Sequence, residues 1–402
     1  MTSICFYFQV HQPFRLKPFD CFKIGRDHDY QDSRKNAEIL NKVSEKCYLP
    51  SNQAMLELIE KNHGKFRVAY SISGTAIEQM EEYRPDVLES FKRLAQTGCV
   101  EFLSETYYHS LSYLYSKTEF KRQVTLHRNK IKDHFHQSPV VFRNTELVYN
   151  NAIADEVASL GYKGIICEGV DHLLGYRNSN FLYHPPGNPK ISCLLKNYKL
   201  SDDIAFRFSN RGWSEWPLTA PTFARWIHAL AGNAETINLF MDYETFGEHQ
   251  WAETGIFDFL RQLPAEVMRH PDFDFKTPSE VIAAYPVRDH YDVHQLCSWA
   301  DSERDLSAWL GNSLQHEAMR RIFQLEKKVL QTNDRHLIDV WARLQTSDHF
   351  YYMCTKYWND GDVHKYFSHY DSPYDAYINY MNVLTDFEQV LEDELSFLSE
   401  IA

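Results

Sequence analysis

Seven times in the first two-thirds of the chain a short β-rich run ends on a polar residue and gives way to a helical pattern. Few folds accept that rhythm. The runs are Ile4–Val10, Phe66–Ile72, Val100–Leu103, Val140–Arg143, Gly164–Cys167, Ile204–Phe208 and Ile237–Met241, and helical stretches such as Asn52–Lys61, Arg84–Thr97, Lys117–His134 and Ala152–Leu160 lie between them. Strands that alternate with helices and read as nearly continuous apolar runs form a parallel sheet covered by helices. Seven such units suggest a closed or nearly closed barrel, although an open doubly wound sheet satisfies the same alternation. In either architecture the C-terminal strand ends make the functional face. There the chain places His11-Gln12-Pro13, Ser71 and Ser73, Glu105, Glu146, Glu168 and Asp171, and Asp242 and Glu244. A strand end also simply meets water, so each of these residues taken singly says little.

From about Tyr285 the character changes to long helical patterns: Arg304–Ala308 leading into Leu310–Leu330, then His336–Met353, then Pro373–Ile401. The expected organisation is an α/β catalytic domain over residues 1–288 and a C-terminal helical domain over 289–402. No Pro/Gly/Ser-rich linker separates them, so tight docking is expected.

The formal net charge of -13 over 402 residues argues against a nucleic-acid partner, because polyanion binding needs a basic face that displaces counterions. No stretch approaches the roughly 18 apolar residues of a membrane span. The N-terminus has no basic region before its short apolar run, so a cytoplasmic protein is expected. The eight cysteines form no C-x-x-C pair and several lie in apolar runs, a pattern of reduced, packed thiols.

Hydrolysing a glycosidic bond requires protonation of the leaving oxygen while a carboxylate attacks or stabilises the cationic sugar carbon, so two acidic groups must flank one bond. Two clusters have that composition. In Val140-Val141-Phe142-Arg143-Asn144-Thr145-Glu146 an apolar run terminates in a carboxylate that Arg143 would keep ionised, the state a nucleophile needs. In Phe240-Met241-Asp242-Tyr243-Glu244-Thr245-Phe246-Gly247-Glu248-His249 two carboxylates stand two apart, on one side of an extended chain. Their mutual repulsion would favour a protonated Asp242 as general acid. The same cluster could instead cap a loop, or hold a metal through Asp242, Glu244, Glu248 and His249. The usual phosphate-loop, dinucleotide, acyl-transfer and zincin motifs are absent from the sequence. His290 and His294 would form an i, i+4 metal pair if helical, but two isolated histidines are more often surface residues. The aromatic share is 15%. Trp213, Trp216, Trp226, Trp251 and Tyr243 lie near the sixth and seventh runs, where aromatic rings could stack on sugars or fill the core.

Five ordered stretches resemble the motifs of glycoside hydrolase family 57: His11-Gln12-Pro13; Val100-Glu101-Phe102-Leu103-Ser104-Glu105-Thr106-Tyr107-Tyr108-His109; Phe142-Arg143-Asn144-Thr145-Glu146; Phe240-Met241-Asp242-Tyr243-Glu244-Thr245-Phe246-Gly247; and Leu344-Gln345-Thr346-Ser347-Asp348-His349. The resemblance covers nearly the whole chain. It implies an incomplete (β/α)7 barrel, with a C-terminal α-helical bundle completing the active-site cleft. It also implies a retaining, α-amylase-like hydrolase of α-glucans that uses no metal and no cofactor for catalysis. By motif position Glu146 would be the nucleophile and Asp242 the general acid/base, with their carboxyl groups about 5–5.5 Å apart as retention requires. His11, Glu244 and Asp348 would line the sugar subsites. Gln12, Glu105, His109, Arg143, Tyr243, Trp213 and Trp251 complete the expected substrate-binding set. Many members carry a glutamate where this chain has His109 and a tryptophan where it has Arg143, differences that bear on linkage and chain-length preference. Alternatives are glucanotransferase or branching chemistry on the same site, a metal-dependent carbohydrate deacetylase, and a non-catalytic α-glucan-binding protein.

Overall fold

A computed structural model describes residues 1–356 and 368–401. The chain divides into two compact units, each discontinuous in sequence. The first comprises Met1–Gln12, Glu38–Glu105 and Val124–Trp299; the second comprises Pro13–Ala37, Thr106–Gln123 and the described part of Ala300–Ala402. The sequence reading drew a single boundary at 288/289 instead.

Ten strands form the sheet of the first unit: β1 (Thr2–Val10), β2 (Val68–Ile72), β3 (Val100–Phe102), β4 (Val141–Arg143), β5 (Gly164–Glu168), β6 (Leu182–His184), β7 (Ser192–Lys196), β8 (Thr236–Asp242), β9 (Phe273–Phe275) and β10 (Val287–His290). Parallel pairings run β1 to β2 to β3, β4 to β5 to β7 to β8, and β8 back to β1. A parallel bridge between Ser104 and Phe142 joins the end of β3 to β4. Seven parallel strands therefore follow one another around a ring, one βα unit short of the eight-stranded barrel. The joints differ in strength: β1 and β8 share a register from Ser3↔Thr236 to Gln9↔Asp242, whereas β7 and β8 pair only at Lys196↔Asn238.

Strand periodicity explains the burial. Alternate residues Ile4, Phe6, Phe8 and Val10 of β1 pack outward into the large core shared with the surrounding helices. Cys5 and Tyr7 point inward and meet Ala69, Leu103, Val141, Ile166, Leu194 and Phe240. Val281, on the helix Pro278–Ala284, belongs to this inner cluster, and Ile282 packs against it. Gly164 on β5 makes room for that helix: a Cβ there would sit 2.3 Å from Ile282 Cδ1.

The expected strand at Ile204–Phe208 is helical. Asn197 caps Tyr198–Asp202 by accepting from Leu200 N–H, the turn continues through Asp203–Arg207, and an Asp203–Arg207 ion pair at i, i+4 spacing, 2.6 Å, braces it. The place in the ring is taken by β7. His290 ends β10 and His294 follows it outside any helix, so the i, i+4 geometry that a metal pair would need is absent. His290 Nδ1 lies 3.1 Å from His184 Nδ1, and His294 lies 3.4 Å from Asp292.

In the second unit the described helices include Ser307–Leu310, Ser313–Gln324, Glu326–Thr332, Arg335–Arg343, Ser347–Tyr351 and Pro373–Ile401. Trp309, Trp341, Phe350, Tyr380 and Leu384 are buried among them. The indole of Trp341 donates to Ile322 O at 2.8 Å, which satisfies its one polar atom.

Candidate active site

Two residues beyond each inward apolar side chain of the ring stands a polar one. Tyr7 is followed by Gln9, Ala69 by Ser71, Leu103 by Glu105, Val141 by Arg143, Ile166 by Glu168, Leu194 by Lys196, and Phe240 by Asp242. The period of two in a strand keeps each on the inner face, so all seven strands deliver one polar group to the same end of the barrel. Gln9 stands in register with both Ser71 and Asp242, and Glu168 with Lys196.

These groups are buried and linked. Glu105 accepts from Ser71 Oγ at 2.5 Å and from Gln9 Nε2 at 3.1 Å, and Gln9 accepts from Tyr7 OH at 2.5 Å. Arg143 Nη1 lies 3.9 Å from Glu105 Oε2, both side chains fully buried. Lys196 bridges Glu168 at 3.7 Å and Asp202 at 3.2 Å. Charges withdrawn from water this completely persist only when paired, and here each buried cation stands within ion-pair distance of a carboxylate. His127 completes the support: Glu105 N–H donates to its Nδ1 at 3.2 Å, leaving Nε2–H to donate to Ile72 O at 2.8 Å. Burial lowers the pKa of His127, consistent with the neutral ring that this pattern requires.

Glu146 follows β4 in a left-handed conformation, φ 57° and ψ 26°, with Leu147 also at positive φ. Two such residues without glycine cost on the order of 1–3 kcal/mol each and persist only where neighbours enforce them. The neighbour is the segment Cys297–Trp299. Tyr149 and Cys297 exchange both backbone hydrogen bonds at 2.9 and 3.0 Å, and Trp299 N–H donates to Glu146 O at 3.3 Å. The indole of Trp299 donates to Glu146 Oε2 at 2.7 Å. Arg143 and Lys196 both lie over that indole, at 5.1 and 5.3 Å from its centroid. Arg143 pairs with buried Glu105 and also lies over the Trp299 ring, whose indole bonds Glu146 Oε2.

Asp242 ends β8, half-buried. The expectation that Glu244 continues on the same side of an extended chain is corrected by a 3₁₀ turn over Tyr243–Thr245, which carries Glu244 under the loop after β1. There the Tyr48 hydroxyl donates to its carboxylate, as does the His11 backbone N–H. Gln12 Nε2 donates to Tyr48 OH at 3.2 Å, and His11 Nδ1 lies 2.7 Å from Ser73 Oγ. Burial, with the charge of Asp242 second, pushes the Glu244 pKa from 4.5 up to about 8. The repulsion expected to favour a proton on Asp242 acts on the more deeply buried Glu244 as well. Folded Glu244 therefore holds its proton in a range, from about pH 4.5 to about 8, where the unfolded chain has released it, and stability falls as pH rises through that range. Glu244→Gln is expected to flatten this dependence, so that between pH 6 and 9 its melting temperature declines less than the wild-type value; parallel declines in thermal melts would refute it.

Tyr243, expected at the sugar, lies wholly inside the core: its hydroxyl donates to Asn52 Oδ1 at 2.8 Å and its ring contacts Phe8, Tyr48, Tyr70 and Phe91. Trp213 packs half-buried against Trp226 with Arg207 over its ring. Trp251 is 59% exposed, with Lys46 at 5.4 Å over its ring. In this loop Gly247, at φ +110°, is obligatory: a Cβ would lie 1.9 Å from Lys46 O. In the second unit the His109 carbonyl accepts from Ser347 N–H at 2.9 Å, which sets buried His109 beside the stretch that carries half-buried Asp348. Among the described residues no three His, Cys, Asp or Glu side chains gather in a metal-holding group.

Comparison with known proteins accords with this arrangement. A protein of Methanocaldococcus jannaschii named "Putative alpha-amylase" is 44% identical over 409 residues, covering 98% of this chain and 85% of that protein. The crystal structure of the α-amylase AmyC from Thermotoga maritima superposes with a TM-score of 0.62 at 14% identity, covering 98% of this chain and 96% of that one. The 4-α-glucanotransferase from Thermococcus litoralis gives a TM-score of 0.65 at 15% identity; the match covers 87% of this chain but spans only 56% of that one. At these identities the two structures speak for the fold. Residues 5–294 match the sequence profile of glycosyl hydrolase family 57, and with the 44% identical relative this establishes that the chain belongs to that family.

Proposed function

We propose that the chain cleaves α-glucans with retention of anomeric configuration, Glu146 acting as nucleophile and Asp242 as general acid/base. The observation that carries this reading is the delivery of both residues to one end of the ring. Glu146 follows β4 in an enforced left-handed turn, and Asp242 ends β8 on the inner face. On the ring β4 and β8 are separated by β5 and β7 on one side and by β3, β2 and β1 on the other, an order that supports a site with the two carboxylates on opposite sides of one bond. In the first step the Glu146 carboxylate bonds to the anomeric carbon as the glycosidic C–O bond breaks, and Asp242 gives its proton to the departing oxygen. In the second, Asp242 takes a proton from water, which displaces Glu146 from the sugar.

Glu244 carries a proton of its own near neutral pH and so sets no second negative charge beside Asp242. By motif position His11 is assigned to a sugar subsite. The names of the relatives leave water and a second sugar as rival acceptors. NMR of a maltooligosaccharide series is the test: shorter products released first as the α anomer support retaining hydrolysis, longer products assign transfer, and β anomers refute the mechanism.

A further inference from the structure

We propose that Trp299 is the positioning residue of the nucleophile, fixing the Glu146 carboxylate through its indole N–H while Arg143 and Lys196 polarise the ring that makes this bond. The inference rests on Glu146 being the nucleophile and deepens that assignment.

Trp299 holds Glu146 at both ends. Its backbone N–H takes the Glu146 carbonyl at 3.3 Å, which braces the strained turn, and its indole takes Oε2 at 2.7 Å. Indole is a single-donor side chain with no acceptor and no second proton to offer, so Trp299 restrains the carboxylate at Oε2. Two cations over one indole, at 5.1 and 5.3 Å, draw electron density from the ring and make its N–H a stronger donor. These cations are tied in turn to Glu105, Glu168 and Asp202. Arg143 on β4 and Lys196 on β7 thereby act on Glu146 without a carboxylate of their own being given up to it. A Trp299 that served only to fill space would need none of this alignment.

Trp299→Phe keeps a ring beneath the cations and removes the donor. Because the bond favours the ionised carboxylate, the acidic limb of the kcat/KM profile is expected to move to higher pH. The rate constant kcat should fall roughly tenfold to a hundredfold, the range for a hydrogen bond to a charged group, with KM little changed. A folded variant whose acidic limb and kcat match the wild type overturns the proposal. A second measurement needs no folded variant at position 299. In ¹⁵N-indole-labelled wild-type protein one Nε1–H resonance should titrate with the acidic limb, and that titration should vanish in Glu146→Gln. Absence of any such resonance overturns the proposal as well. Failure of the underlying assignment looks different: Glu146→Gln would then retain turnover, whatever Trp299→Phe does.

Discussion

Glu146→Gln is expected to lower turnover of maltooligosaccharides by about 10³-fold or more, while oligosaccharide affinity stays within a few-fold of the wild type. The amide has the shape of the carboxylate and its oxygen can still accept from the Trp299 indole, so the left-handed turn and the burial around it have no reason to change. What is lost is the anionic oxygen that forms the glycosyl-enzyme bond, and removing a nucleophile forfeits most of the rate enhancement that depends on it. Turnover and isothermal titration with the same ligand separate the two effects. A variant within tenfold of wild-type turnover would remove Glu146 from this role, and one that neither binds nor turns over would make it a binding residue.

Asp242→Asn removes proton transfer rather than bond formation, so its signature differs. Turnover of maltodextrin should fall roughly 10²- to 10⁴-fold, the span of general acid–base catalysis, and the basic limb of the bell-shaped profile should disappear. A substrate whose leaving group departs as a stable phenolate needs no protonation in the first step, so an activated aryl α-glucoside should recover much of the glycosylation rate in a pre-steady-state burst. Equal losses on both substrates would show that Asp242 is not the acid. The proximity of Glu244 matters here: protonated up to about pH 8, it adds no second negative charge beside Asp242 over most of the working range. The two limbs of the profile report the coupled pair Glu146 and Asp242 rather than each residue separately.

Much of the barrel was legible because its ring strands are either long or strongly apolar. The run Ile4–Val10 corresponds to β1 at Thr2–Val10, and the helix expected at Pro373–Ile401 has those bounds. The strands that escaped notice, Leu182–His184, Ser192–Lys196, Phe273–Phe275 and Val287–His290, are three to five residues long and mix polar with apolar positions, too little sequence for a period to declare itself. Missing β7 meant missing Lys196. Gln9 was hidden inside an apolar run, although its spacing from Tyr7 and Cys5 marks it as inward-facing once the strand's two faces are separated. Trp299 carries no local signal at all: it reaches Glu146 from a segment 153 residues later in sequence, and only the folded chain sets the two side by side. Tyr243 erred the other way, since an aromatic between two carboxylates reads as a sugar platform until the turn that buries it is seen.

The uneven ring has a mechanical consequence. A hoop with one wide weld and two narrow ones does not flex uniformly, and here the narrow ones are the Ser104↔Phe142 bridge and the Lys196↔Asn238 contact, the latter reinforced by the Asn238 amide on Leu195 O at 2.8 Å. The second of these joints lies next to the ammonium that rests on the Trp299 ring, so strain relieved there by an incoming chain would reach the Glu146 carboxylate through that ring.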